Sequence, residues 1–209
     1  MHPILGTIVL VAAVFSAAVS ADGQDRMPPI PADKLTDAQK KAIEEFKAAR
    51  SADISGPFVP LLRSPEVMSR ARAMGDYLRF RSVLPPRLSE LVILMTARRW
   101  TQQYEWNAHQ PLALQGGLKG EIVKAIADGR RPDAMAEDED VVYTLWEEVQ
   151  RNQSVCDATY ARAVGKLGEQ GVIDVLGITG YYTMLAMVMN TARTPLPPGV
   201  KPGLAPLPR

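Results

Sequence analysis

Apolar positions recur at helical spacing from residue 36 almost to residue 193. No strand-like alternation and no internal repeat interrupts them, which predicts an all-α chain. Thr36 and Gln39 form a capping-box pair that opens a helix over residues 36–50, with Ala38, Ile43 and Phe46 inward. Gly56, Pro57 and Pro60 break the pattern. Ser64, Pro65 and Glu66 restart it as cap, first-turn proline and first-turn acid, and Val67, Met68, Ala71, Met74 and Leu78 carry it to about Phe80. Pro85 and Pro86 begin a strongly apolar helix on Leu88, Leu91, Val92, Leu94 and Met95, with Glu90 inside it. Thr101 stands where a cap is needed for the next helix, which ends near Gly116 and Gly117. Pro111 falls within that helix and predicts a kink or break. Further helices are predicted over 119–128 and 137–151. Another starts at Asp157, capped by that residue, and runs to Leu167, where Gly168 and Gly171 punctuate the chain.

Residues 172–192 are apolar almost throughout. That predicts a helix buried on most sides or used in assembly, and Asp174, Gly177, Gly180 and Asn190 favour a protein interior over a membrane span. Residues 1–21 read as a signal peptide, with cleavage after Ala21, so the protein is expected to be exported, periplasmic or secreted. An uncleaved anchor is the other reading of that segment. Residues 22–35 form a Pro-containing lead-in, 36–193 one helical domain, and 194–209 an extended Pro/Gly-rich tail.

Composition narrows the function classes. A 209-residue chain with a formal net charge of +1 makes no electrostatic case for nucleic acid or an anionic membrane surface. The single cysteine, Cys156, allows no internal disulfide, CxxC pair or thiolate metal cage. Cleavage would remove His2 and leave His109 as the one imidazole. One histidine with scattered acids also lacks the donor set of a zinc site, so no metal is expected.

His109 follows Glu105 by four residues, which puts both on one helix face. A carboxylate beside an imidazole can orient the ring, fix its tautomer and stabilise its cation, the elements of a proton-transfer pair. Glu105 read blandly is a first-turn acid facing water. Glu90 sits among apolar neighbours; buried, it needs a partner, and the other account puts it at the surface. Arg98 and Arg99 suit an anionic substrate or a solvated helix end. Tyr104, Trp106, Tyr181 and Tyr182 suit an aromatic pocket or plain core.

The run Leu84-Pro85-Pro86-Arg87-Leu88-Ser89-Glu90, then Ala97-Arg98, then Tyr104-Glu105-Trp106-Asn107-Ala108-His109-Gln110-Pro111-Leu112-Ala113, then Gly116-Gly117, resembles the carboxymuconolactone decarboxylase family. That family also contains the alkylhydroperoxidase D (AhpD) proteins. Residues 172–190 resemble its last helix. The resemblance implies an AhpD-like helical bundle that assembles as a homo-oligomer, a trimer or hexamer, with a pocket where Glu90, Glu105 and His109 converge. In the peroxidase branch two cysteines precede the histidine; here Gln102 and Glu105 hold those positions, which excludes that thiol chemistry at this site. The decarboxylase branch implies a cofactor-free lyase acting on a small activated carbonyl acid or lactone. His109 would be the acid–base group, Glu105 its orienter, Glu90 a proton relay and Arg98 an anion anchor, with Tyr104 and Trp106 lining the pocket. Two other readings stay open: an exported non-catalytic oligomer that binds a small ligand or partner, and an antioxidant hydroperoxidase relying on Cys156. After cleavage no membrane partner is expected.

Overall fold

The computed structural model describes residues 24–206; the segment read as a signal peptide lies outside them. Among the described residues there are eight α-helices and one short 3-10 turn, and no strand. They are α1 (Asp37–Arg50), α2 (Phe58–Leu61), α3 (Pro65–Phe80), α4 (Pro86–Arg99), α5 (Gln103–Gln115), α6 (Gly120–Ala127), α7 (Glu137–Asn152) and α8 (Asp157–Ala192).

Helix α4 is the axis of the bundle. Residues 88–98 are all buried, and α5, α6, α7 and α8 pack around them. A helix this enclosed has to satisfy its polar side chains internally. Thr96 Oγ1 donates to Val92 O at 2.8 Å and accepts from Trp146 Nε1 at 3.1 Å. Ser89 Oγ donates to Pro86 O at 3.1 Å. Glu90 takes its partner from α5, as described below.

Helix ends follow local chemistry, with three departures from expectation. The Thr36–Gln39 capping box closes reciprocally. Ser64 makes no side-chain cap, and Pro65 alone sets the start of α3. Gln102, not Thr101, caps α5: its side-chain oxygen accepts from Tyr104 N at 2.6 Å, while Thr101 lies in the left-handed region at φ 46°. Cys156 takes the N-cap position of α8, and Asp157 lies in the first turn. Pro111 does not break α5, which runs through it to Gln115. The helix loses only the bond that an N–H at residue 111 would have made to Asn107 O.

α8 bends at Gly168 (φ 69°, ψ 167°), a conformation that favours glycine. Its second half carries Val172, Val175, Ile178, Tyr181, Tyr182, Leu185 and Met189 into the core. Asp174 is buried and accepts from Ser82 Oγ (2.7 Å), Val83 N (3.0 Å) and Tyr77 O–H (3.1 Å), which ties the α3–α4 loop to α8. By length and composition α8 could cross a membrane, but just over half of its most apolar window is buried inside the bundle.

The Pro/Gly-rich tail does not extend freely. Leu204 is buried and exchanges two hydrogen bonds with the Gln103 side chain (2.7 and 3.0 Å), while Ala205 O accepts from Arg98 Nη1 at 2.7 Å. Gly203 approaches Trp106 so closely that a Cβ would lie 2.7 Å from the indole.

Candidate functional site

His109 stands on the buried face of α5 and reaches across to α4. Its Nδ1 lies 2.7 Å from Glu90 Oε2, with side-chain exposures of only 6% and 11%. On the other edge of the ring, Nε2 is 3.2 Å from Tyr182 Oη and 3.5 Å from Glu105 Oε2. An ionised Glu90 can only accept, so Nδ1–H donates to it and the Nε2 lone pair faces the Tyr182 O–H. The ring of Tyr182 meets the imidazole edge-on, centroids 5.1 Å apart, and Tyr181 meets Tyr182 the same way at 5.2 Å.

His109, Glu105, Tyr181 and Tyr182 line a cavity of about 240 Å³; Glu90 stands behind the imidazole and does not line it. α5 supplies Tyr104, Glu105, Ala108, His109 and Leu112; α8 supplies Tyr181, Tyr182 and Leu185. Phe46 and Arg50 of α1 and Arg79 of α3 complete the wall with the residues around Pro57. Two glycines make the approach possible. A Cβ on Gly75 would sit 2.3 Å from Tyr181 Oη, and one on Gly56 (φ 53°) 2.5 Å from the Tyr104 ring.

Burial dominates the electrostatics. It pushes the Glu105 carboxyl above the ordinary carboxylate range, more than His109 and Arg79 pull it down, and Glu90 adds to the rise. Glu105 Oε1 is buried with no hydrogen-bond partner. Desolvation raises Tyr181 to about 12 and Tyr182 well above the usual phenol value, with Glu105 adding in both cases. Both phenols and Glu105 are therefore held towards their neutral, proton-donating forms.

The sequence-derived candidates divide. Glu90, Glu105 and His109 come together. Tyr104 lines the cavity. The orienting hydrogen bond, however, belongs to Glu90 and not to Glu105, because residue 109 faces α4 at closer range than its own preceding turn. Trp106 follows Glu105 by one residue, about 100° around the helix. It therefore points away from the cavity and is buried beneath Gly203. Arg98 is eight residues past Glu90, about 12 Å along the α4 axis. It holds the tail through Ala205 and borders a different surface depression of about 470 Å³ beyond that end of the helix. It does not reach His109's cavity. Cys156 is exposed at the start of α8 and does not line the cavity.

Sequence reading missed Tyr182 as a partner of His109, and missed Arg50 and Arg79 altogether. The adjacent tyrosines were visible, but Tyr182 lies 73 residues from His109 along the chain. No local signal separates Arg79 from the other arginines of α3.

No protein-family model matches the chain, and no curated protein matches it. A solved structure does. It is described as an alkylhydroperoxidase AhpD core, an uncharacterized peroxidase-related protein from Ralstonia eutropha JMP134, and it superposes with a TM-score of 0.64 at 16% identity. The match covers 83% of this chain and 92% of the other. The likeness establishes an AhpD-like, all-helical fold.

Proposed function

We propose that this cavity is the active site of a cofactor-free lyase of the carboxymuconolactone decarboxylase type. It would perform decarboxylation or proton transfer on a small activated carbonyl acid or lactone. The observation that carries the reading is the buried imidazole: one nitrogen held by Glu90 at 2.7 Å, the other presented to the cavity between Tyr182 and Glu105. An orienting carboxylate on one nitrogen and a second nitrogen facing the cavity's proton-donating groups is an arrangement suited to acid–base catalysis.

In the decarboxylation, the electron pair of the breaking carbon–carbon bond flows into the substrate carbonyl, carbon dioxide leaves and an enolate forms. The Tyr182 O–H and a protonated Glu105 donate hydrogen bonds to the developing oxyanion. The Nε2–H of a protonated His109 then passes its proton to carbon; the enolate pair forms the new C–H bond, and solvent reprotonates the ring. In the isomerisation variant, neutral His109 takes a proton from one carbon and returns it to another. Glu90 stabilises the imidazolium in both.

A hydroperoxidase reading, raised by the description of the similar solved structure, needs a thiol beside the imidazole. Gln102 and Glu105 hold the positions where that branch carries cysteines, and Cys156 is outside the cavity. Assembly and export belong to the same proposal. The exposed apolar side chains of α8, Ile173 at 64% and Met187 at 45%, suit a homo-oligomer. Residues 1–21 suit delivery outside the cytosol.

The test is turnover of β-oxo acids and unsaturated lactones by the parent protein and by His109→Ala. Loss of turnover in the variant supports the reading. Equal rates in the two proteins remove the histidine from the chemistry.

A further inference from the structure

Three side chains in the cavity wall carry a buried polar atom with no hydrogen-bond partner: Arg50 through Nη2, Arg79 through Nε and Glu105 through Oε1; of the two arginines, Arg50 alone is neutralised by an ion pair among the described residues, with Asp76. Buried polar atoms are nearly always partnered in folded proteins. A donor and a carboxyl oxygen left open on one cavity describe the complement of a ligand.

Arg50, the other guanidinium of the wall, is already engaged. Its Nε and Nη2 lie 2.9 and 2.8 Å from Asp76 Oδ1, and the other oxygen of Asp76 takes Arg72 at 2.6 Å. Arg79 differs: among the described residues no carboxylate forms an ion pair with it. Its guanidinium carbon lies 5.0 Å from the centroid of the Phe80 ring. Stacking occupies the face of the guanidinium and leaves its in-plane N–H edge available to an oxyanion. Arg79 is also near enough to act electrostatically on Glu105, Tyr181 and Tyr182.

We propose that Arg79 is the anion-recognition residue of this cavity, and that the ligand is a small oxo acid with its carboxylate on Arg79 and its carbonyl oxygen on Glu105. The inference rests on the proton-transfer reading and names its substrate class. Burial holds Glu105 towards its neutral form, so its O–H can serve a carbonyl oxygen that an ionised carboxylate would repel. The cavity of about 240 Å³ equals the liquid volume of roughly eight waters, which suits a short acid. The pairing also separates two tasks: Arg79 fixes one end of the molecule, and the carbonyl end stays with the imidazole and its donors.

The experiment is calorimetric or NMR titration with levulinate, a small oxo acid, and with 2-pentanone, its counterpart without the carboxylate. Wild type, Arg79→Gln and Arg79→Lys are compared, and far-UV circular dichroism checks each fold. Levulinate should bind wild type more tightly than the ketone does. Arg79→Gln should weaken levulinate about tenfold or more, the value of a charge-assisted hydrogen bond, and leave the ketone unchanged. Arg79→Lys, which keeps the charge but not the planar fork, should fall between them. Equal levulinate binding in wild type and Arg79→Gln overturns the proposal. So does a ketone that binds wild type as tightly as the acid, or levulinate that does not bind wild type at all. Arg79-dependent binding without any turnover would uphold the anion site and sink the lyase reading. Turnover of oxo acids that survives Arg79→Gln undiminished would do the reverse.

Discussion

The contact between Glu90 and His109 ties the central helix α4 to α5, which carries His109 into the cavity wall, and its strength can be measured directly. A double-mutant cycle uses Glu90→Gln, His109→Gln and the pair together. Both side chains are nearly enclosed, and the separation is 2.7 Å. A hydrogen bond to a charged group in such a setting is worth about 1.5–3 kcal/mol net, so the coupling energy should fall in that range. Glu90→Ala should cost about 1–3 kcal/mol, because it leaves the buried Nδ1–H without an acceptor. Glu90→Gln should cost less, because the amide oxygen can still accept from Nδ1–H. Urea unfolding at one fixed protein concentration gives the four free energies; the concentration is fixed because assembly would shift apparent stability. Nitrogen NMR of the imidazole supplies a second readout: wild type should show a proton on Nδ1. Coupling below about 0.5 kcal/mol, within the additivity expected of independent sites, would refute the claim that Glu90 holds the ring.

Other consequences follow from the same geometry. Burial holds Glu105 above its ordinary value of 4.5. The unfolded chain therefore releases this proton at lower pH than the folded one does, and wild-type stability falls as pH rises from 4.5 to the raised folded value. Glu105→Gln lacks that loss, so urea midpoints should coincide near pH 4 and diverge in the variant's favour towards neutral pH; parallel curves would contradict the burial account. Gly75→Ala gains helix propensity but places a methyl 2.3 Å from Tyr181 Oη. Overpacking of this kind costs about 1–3 kcal/mol, so the variant should melt lower despite the propensity gain. Light scattering should find an oligomer that Ile173→Glu dissociates, since Ile173 is 64% exposed on an apolar helix. Cys156→Ser should leave any peroxide consumption unchanged, as the thiol is outside the cavity.

Periodicity made the helical class legible, because each of the longer helices carries an apolar stripe or an apolar run between recognisable start signals. The pair Glu105 and His109 was legible for the same reason: a four-residue spacing determines a shared face. Glu90 was legible as an anomaly, a carboxylate in an apolar run that needed a partner, but the identity of that partner depends on how α4 meets α5. Spacing along one helix suggested Glu105 as the orienter; tertiary packing put Glu90 closer. Arg98 and Trp106 misled because neighbours in sequence were read as neighbours in space. Their surroundings are set by a tail whose Pro/Gly composition reads as a free linker yet buries Leu204. Tyr182 and Arg79 reach the site from helices far along the chain, and nothing local in sequence marks such contacts.

The most direct test of the central claim, that His109 moves a proton on a bound carbonyl compound, is deuterium incorporation at carbon. Small oxo acids are incubated in D₂O with wild type or His109→Gln, and exchange next to the carbonyl is followed by proton NMR. Wild type should accelerate exchange for at least one such acid, and His109→Gln should return it to the rate without protein. Acceleration that persists undiminished in His109→Gln, or none by wild type with any acid that binds the cavity, would contradict it.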